Sequence, residues 1–304
     1  MSRHVAVLMG GFSAEREVSL ISGEACARAL EERGYRVSRI DVGRDLPQRL
    51  LELRPDCCFN ALHGRMGEDG RVQGLLDLMG IPYTHSGVLA SALAMDKPMA
   101  KRLFASAGLR CPEGVETTPA RLRAEGAPFP PPFVVKPAAE GSSVGVTISF
   151  DGDLAPVLAR DDLAADARLL VERYVPGREL TCAVLGDRPL AVTEIVPKTG
   201  FYDYRAKYTE GLADHLLPAP LPEAIYARVM EWARTAHRLL GCRGVSRADF
   251  RFDPSSGEEG LFILEVNTQP GMTPLSLVPE QAAFCGISFA DLVVRLIEEA
   301  TCDP

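Results

Sequence analysis

The stretch His4-Val-Ala-Val-Leu-Met-Gly-Gly-Phe-Ser-Ala-Glu-Arg-Glu-Val-Ser19 opens as a short apolar run, stops at Gly10-Gly11 and turns helical from Ser13. Its spacing predicts Val18, Ile21, Ala25 and Ala29 on one helix face. A strand, a glycine turn and a helix in that order form the first half of a βαβ unit. The motif recurs: the apolar run from Cys57 to Leu62 is followed by Gly64-Arg-Met-Gly-Glu-Asp-Gly70 and by Val72 to Met79 at helical spacing. Repeated strand, loop and helix predicts an α/β fold with a parallel sheet and ligands outside the carboxyl ends of its strands.

Beyond this unit the punctuation changes. Asp96-Lys-Pro-Met99 interrupts the helical stretch from Val88, because proline is tolerated in a first turn and not in a helix interior. Four prolines between Gly126 and Pro132 then lead into a second set of strands, at Phe133 to Pro137, Val146 to Phe150 and Leu169 to Tyr174. Glu179 to Leu185 and Pro189 to Val196 flank Gly186-Asp-Arg188, a hairpin signal. Between Pro197 and Pro220 neither period is visible, and so long an aromatic loop predicts a functional lid over 199–217. A helix over 222–240, strands near 244–253 and 261–267 and a final helix near 288–300 complete the chain. The expected domains are 1–95, 96–177 and 178–304.

At 304 residues, with 46% hydrophobic and 24% charged side chains, the chain is folded throughout, not disordered. Its formal charge of −8 disfavours a nucleic acid partner. No apolar run reaches the ~18 to 20 residues of a membrane span, so a cytoplasmic protein without a membrane partner is expected. Eight cysteines contain no C-x-x-C pair, and five histidines lack metal-ligand spacing. Buried thiols fit these cysteines better than disulfides or zinc.

Three places carry chemistry. Arg247-Ala-Asp-Phe-Arg-Phe-Asp253 and Leu261-Phe-Ile-Leu-Glu-Val-Asn-Thr-Gln-Pro-Gly271 read as neighbouring strands. Alternation puts Glu265 and Asn267 on one face, and the neighbour can bring Asp249 beside them. Two carboxylates and an amide oxygen suit Mg²⁺; the plainer alternative is a solvated strand face. Glu140-Gly-Ser-Ser-Val-Gly145 after Lys136 can cradle phosphate, or be an ordinary hairpin. Glu15 can serve a substrate, or only the positive end of its helix, and His63 can be a ligand contact or a satisfied strand-end histidine.

Together these segments resemble the D-alanine-D-alanine ligases of the ATP-grasp superfamily, from Val5 to about Leu296. The resemblance rests on Gly10 to Ser19, Ala61-Leu-His-Gly64, Met95-Asp-Lys97, Val135-Lys-Pro137, Glu140 to Gly145 and Phe201-Tyr-Asp-Tyr-Arg-Ala-Lys-Tyr208. It continues with Arg247-Ala-Asp249, Leu264 to Thr273 and Ser276-Leu277. Phe12 stands where a small polar residue is common, and Gln269 where serine is common.

The resemblance implies a three-domain ATP-grasp fold with an N-terminal parallel α/β domain and ATP held between two further α+β domains. It implies D-alanyl-D-alanine synthesis for peptidoglycan through a D-alanyl phosphate. By the same likeness Lys97, Lys136 and Lys207 neutralise phosphates, Glu172, Tyr174 and Val175 meet adenine, and Glu179 meets the ribose. Asp249, Glu265 and Asn267 hold two Mg²⁺, a role Mn²⁺ can also fill. Glu15, helped by His63, receives the first D-alanine, and Ser276 with Leu277 receives the second. Arg247 and the Gly271 N–H stabilise the oxyanion, while Ser142 and Tyr208 link the glycine loop, the lid and Glu15. A homodimer is implied. The rivals are a relative that joins D-alanine to D-lactate or D-serine, against which Tyr208 speaks, and a non-catalytic ATP sensor, against which the full ligand set speaks.

Overall fold

The computed structural model describes residues 3–141, 145–160, 163–198 and 211–303. Strand β1 (His4–Met9) is buried along its whole length, as a central parallel strand must be. It is followed by α1 (Arg16–Glu32), β2 (Arg36–Asp41), α2 (Leu46–Leu53), β3 (Cys57–Asn60) and α3 (Arg71–Met79). The three strands pair in parallel in the order β2-β1-β3. The expected face of α1 is corrected here: Ile21 is 54% exposed, and Ser19, Ser22, Gly23, Cys26, Ala27 and Leu30 face inward with Val18 and Ala29. The reason is close approach. A Cβ on Gly23 would stand 2.5 Å from the Met9 Cβ, so the small-residue face, not the aliphatic one, lies on the sheet.

Helices α4 (Val88–Met95) and α5 (Lys97–Ser106) break at Asp96, whose carboxylate accepts the Met99 N–H while Pro98 occupies the first turn. Next come β4 (Gly114–Thr117), α6 (Pro119–Glu125), β5 (Phe133–Pro137), β6 (Thr147–Ser149), α7 (Ala155–Leu158) and β7 (Leu169–Arg173). These strands form an antiparallel sheet in the order β4-β7-β5-β6 over a core of Phe129, Phe133, Val135 and Val171.

The last sheet contains β8 (Arg178–Leu185), β9 (Arg188–Pro197), β10 (Ala213–Leu216), β11 (Val245–Phe252) and β12 (Leu261–Asn267), in the order β10-β9-β8-β11-β12. Helix α8 (Glu223–Leu240) packs on it. Helices α9 (Leu277–Phe284) and α10 (Phe289–Glu298) end the fold. Strand β10 falls inside the stretch expected to be an irregular lid: Ala213 to Leu216 pair with Pro197 to Glu194. Main-chain pairing at a sheet edge requires no side-chain period, which is why no pattern announced it. Residues 199–210 of that expected lid lie outside the described residues.

Two cores tie the layers together. Leu292, Val293 and Leu296 of α10 return to α1, against Cys26 and Leu30. Ala94, Ala100, Phe104 and Leu109 join Leu180 and Phe250 in the core of the five-stranded sheet. The first turn of α5 is thereby held between the two antiparallel sheets, and the Lys97 N–H donates to the Ala138 carbonyl at 2.9 Å. All eight cysteines are free thiols. Among the described residues no single helix is long and apolar enough to cross a membrane.

Candidate active site

Strand register decides the first part of the site. Antiparallel pairing of β11 with β12 sets Asp249 opposite Glu265 and Arg247 opposite Asn267, with a bulge just after Asp249. The Arg247 guanidinium donates to both Asp249 oxygens, Nε at 2.8 Å and Nη2 at 2.7 Å, and the Thr181 hydroxyl donates to Asp249 Oδ1 at 2.7 Å. Glu265 Oε2 lies 3.3 Å from Lys97 Nζ, which also donates to the Glu140 carbonyl at 2.6 Å. Asn267 Oδ1 accepts the Gln269 N–H at 2.8 Å. No three His, Cys, Asp or Glu side chains among the described residues form a metal-sized cluster, and the third donor expected here, Asn267, is an amide. An oxygen-only set of two carboxylates and an amide nevertheless fits a hard cation that completes its shell with phosphate and water.

Between the four-stranded and five-stranded sheets runs a cleft of about 670 Å³. Lys136, Glu172, Tyr174, Val175, Glu179 and Asp249 lie in its wall. Glu172 is buried with both oxygens engaged, by Lys101 in a short contact and by Lys136 at 2.6 Å. Burial works against its charge, but the two ammonium groups win and hold the carboxyl below its usual range. Burial likewise opposes the Lys136 charge, and the Glu172 and Glu265 carboxylates outweigh it, so its pKa is raised. Lys101 goes the other way, pushed down by burial despite Glu172.

Glu172→Gln is expected to destabilise the fold by ~3 to 5 kcal/mol, the scale for breaking a buried ion pair from one side, as read by urea unfolding at pH 7. A depressed carboxyl contributes stability above its unfolded value, near 4.5, that is lost as pH falls through the folded value. The difference between wild type and variant should therefore shrink in acid. An unchanged unfolding midpoint at pH 7 would contradict the counter-ion role.

A second, smaller pocket opens beside the cleft, and Lys97, Glu140 and Glu265 line both. Its far wall is Glu15, His63 and Glu68, and its near wall holds Arg247, Asn267 and Gly271. Glu15 stands at the N-cap of α1 yet makes no capping side-chain hydrogen bond, so its carboxylate is directed elsewhere. Glycines surround it: a Cβ on Gly64 would lie 2.7 Å from Glu15 Oε2, and one on Gly141 would lie 3.0 Å away. His63 Nδ1 is 3.3 Å from Glu68 Oε1 and its Nε2 is 3.3 Å from Ser22 Oγ. Burial pushes the His63 pKa down, but Glu68, Glu15 and the Gln269 backbone overcome it, and the net shift is upward. Glu68→Gln should lower the His63 pKa, measured by NMR titration of its ring proton; a value unchanged from wild type would show that Glu68 does not set it.

Of the residues expected from sequence, Glu15, His63, Lys97, Arg247, Glu265, Asn267 and Gly271 share this small pocket. Lys136, Glu172, Tyr174, Val175, Glu179 and Asp249 share the cleft. Ser276 and Leu277 line neither. Ser276 Oγ accepts the Thr273 N–H at 2.9 Å, and Leu277 packs with Ile195. A Cβ on Gly271 would lie 2.8 Å from Ser276 Oγ, so the two ends of that loop touch. Ser142, Lys207 and Tyr208 lie outside the described residues. Sequence reading missed Glu68 and Lys101. Glu68 sits within the glycine-rich 64–70 segment, and Lys101 lies one helical turn beyond Lys97, so both had a signal.

Residues 112–298 match the family model for the D-ala D-ala ligase C-terminus, and residues 47–86 match that for the D-ala D-ala ligase N-terminus. The chain is 56% identical to the D-alanine-D-alanine ligase of Parvibaculum lavamentivorans over 305 residues, 99% of each chain. It is 58% identical to that of Methylocella silvestris over 308 residues, 100% of each. Its fold is similar to the crystal structure of the D-alanine-D-alanine ligase from Bacillus anthracis, with a TM-score of 0.84 at 31% identity, covering 98% of this chain and 97% of the other. The Bacillus anthracis ligase complexed with ATP gives 0.80 at 30% identity, with the same coverage.

Proposed function

The chain belongs to the D-alanine-D-alanine ligase family and has the ATP-grasp fold, and on that premise we infer that it joins two D-alanines into D-alanyl-D-alanine for peptidoglycan, converting ATP to ADP and phosphate. An amide between two free amino acids is uphill in water, so one carboxylate is activated first. A carboxylate oxygen of the first D-alanine attacks the γ-phosphorus. The bond to the β-phosphate oxygen breaks, ADP leaves and D-alanyl phosphate forms. The amine of the second D-alanine, once deprotonated, attacks the carbonyl carbon. The carbon-nitrogen bond forms and phosphate departs with one former carboxylate oxygen.

The residue roles are taken from the family likeness, and charge and pocket position support those of the residues that line the cleft and the small pocket. Domain 1–95 supplies Glu15 for the ammonium of the first D-alanine, with His63 beside it. Domains 96–177 and 178–304 hold ATP between them. Lys97 and Lys136, with Lys207, meet phosphates; Val175 and Tyr174 meet adenine, and Glu179 the ribose. Glu172 serves that region as the counter-ion of Lys101 and Lys136. By the family likeness Ser276 and Leu277 would receive the second carboxylate, and Ser142 and Tyr208, which lie outside the described residues, would serve the glycine loop and the lid. Arg247 and the Gly271 N–H meet the oxyanion, a type of donor worth ~3 to 4 kcal/mol. Asp249, Glu265 and Asn267 would hold two Mg²⁺, or Mn²⁺, which when bound neutralise phosphate charge. The enzyme works in the cytoplasm as a homodimer, for which the exposed Leu78 and Leu89 offer apolar surface.

One observation carries this reading. Lys97 and Glu265 form a pair 3.3 Å apart that lines both the large cleft and the acidic pocket. A triphosphate entering one side and an amino acid carboxylate entering the other therefore converge on the same cation. D-alanine labelled with ¹⁸O in its carboxylate should yield inorganic phosphate carrying one ¹⁸O per dipeptide formed. Unlabelled phosphate would exclude the acyl phosphate.

A further inference from the structure

The geometry points to Gln269 and Asn60 as a pair of positioning residues that fix the loop carrying Asn267 and the Gly271 N–H against the carboxyl end of β3. Both are buried, Asn60 at 0% and Gln269 at 2% exposure. Their amides are reciprocal. Gln269 Nε2 donates to the Asn60 carbonyl in a short hydrogen bond, and Asn60 Nδ2 donates back to Gln269 Oε1 at 3.2 Å. Asn60 is itself held, because its Nδ2 also donates to the Gly67 carbonyl at 3.0 Å and its Oδ1 accepts the Leu62 N–H at 3.2 Å. Gly67 O accepts a second donor, Gln73 Nε2, at 2.8 Å. The pair thus connects the first sheet to the loop after β12 across 209 residues of sequence.

What Gln269 holds at its other end gives the contact its purpose. Its main-chain N–H donates to Asn267 Oδ1 at 2.8 Å, which fixes the oxygen and not the nitrogen of that amide in place and leaves a second lone pair on the oxygen. Its backbone also contributes to raising the His63 pKa. One residue therefore touches both the end of β3 and the proposed cation ligand Asn267. A serine at this position would be too short to span to Asn60. An amide here makes the docking of the loop depend on a directional pair. Partners that orient a ligating group in this way typically change metal affinity or activity by roughly 10- to 100-fold when removed.

The inference rests on the ligase reading, and its test keeps the two apart. The full chain and its Gln269→Met, Gln269→Ser and Asn60→Ala variants, with the double variant Asn60→Ala/Gln269→Met, are compared well below their melting temperatures. Dipeptide formation by wild type checks the ligase reading. For the variants three quantities are read: kcat against KM for ATP, Mn²⁺ binding in the presence of ADP by electron paramagnetic resonance, and thermal stability.

Positioning predicts that Gln269→Met loses roughly 10- to 100-fold in kcat with KM for ATP within about twofold, and binds Mn²⁺ several-fold more weakly. The double variant should be no worse than the poorer single one. Melting lowered with kcat and Mn²⁺ affinity unchanged would reduce the pair to a structural contact and overturn the inference, as would additive losses in the double variant. If Asn60→Ala fails to fold, the two Gln269 variants decide the matter by the same quantities. A wild type that makes no dipeptide would overturn the ligase reading, and the Mn²⁺ measurement would then judge the pair.

Discussion

Glu265→Gln should fold normally and lose at least roughly 100-fold in turnover, a barrier increase of about 2.7 kcal/mol. The substitution preserves shape and removes one negative charge. Glu265 sits in the middle of the site: it pairs with Lys97, lies opposite Asp249 across the β11-β12 ladder, and lines both the cleft and the small pocket. Its side chain is partly exposed, so its loss should leave the core intact, and Lys97 keeps its hydrogen bond to the Glu140 carbonyl. Asp249→Asn should be milder, because Thr181 and Arg247 still hold that side chain. The check is kcat at saturating Mg²⁺ and ATP, with circular dichroism to confirm folding. Retention of more than about a tenth of wild-type turnover, under ~1.4 kcal/mol, would remove Glu265 from the centre of the mechanism.

Arg247→Lys should lose roughly 10²- to 10³-fold in kcat although charge is conserved, the range for removing one preorganised oxyanion donor. The guanidinium is held by two parallel hydrogen bonds to Asp249, a fork that an ammonium cannot reproduce. Lysine at this position would approach Asp249 as a point charge and would not present a second face to the pocket. KM for ATP should change little, since the loss falls on the second chemical step. Wild-type kcat in the lysine variant would mean that charge alone suffices and that the oxyanion is met elsewhere.

Much of this was legible in the sequence because it depends on local periods. The unbroken apolar run of β1 and the glycine turn after it announce a buried parallel strand, and two-residue alternation puts Glu265 and Asn267 on one face. Asp96 before Lys97-Pro98 marks the helix break that aims Lys97 into the site. What was not legible depends on partners distant in sequence. Nothing in the order of residues sets Glu172 between Lys101 and Lys136, or aligns Gln269 with Asn60, since a strand's pattern reveals its face and not what lies across from it. The inward face of α1 departs from its aliphatic period at Ile21 for a related reason. Aliphatic Ile21 weighs heavily in a periodicity, while the close approach at Gly23 selects small side chains. Strand β10 left no pattern because an edge strand is held by its main chain.

The most direct test of the central claim is product analysis by mass spectrometry after incubation with ATP, Mg²⁺ and either D-alanine or L-alanine. The ligase account predicts D-alanyl-D-alanine and ADP in equal amounts with D-alanine, and neither with L-alanine. ADP formed at the same rate without D-alanine, or equally with L-alanine, would contradict it.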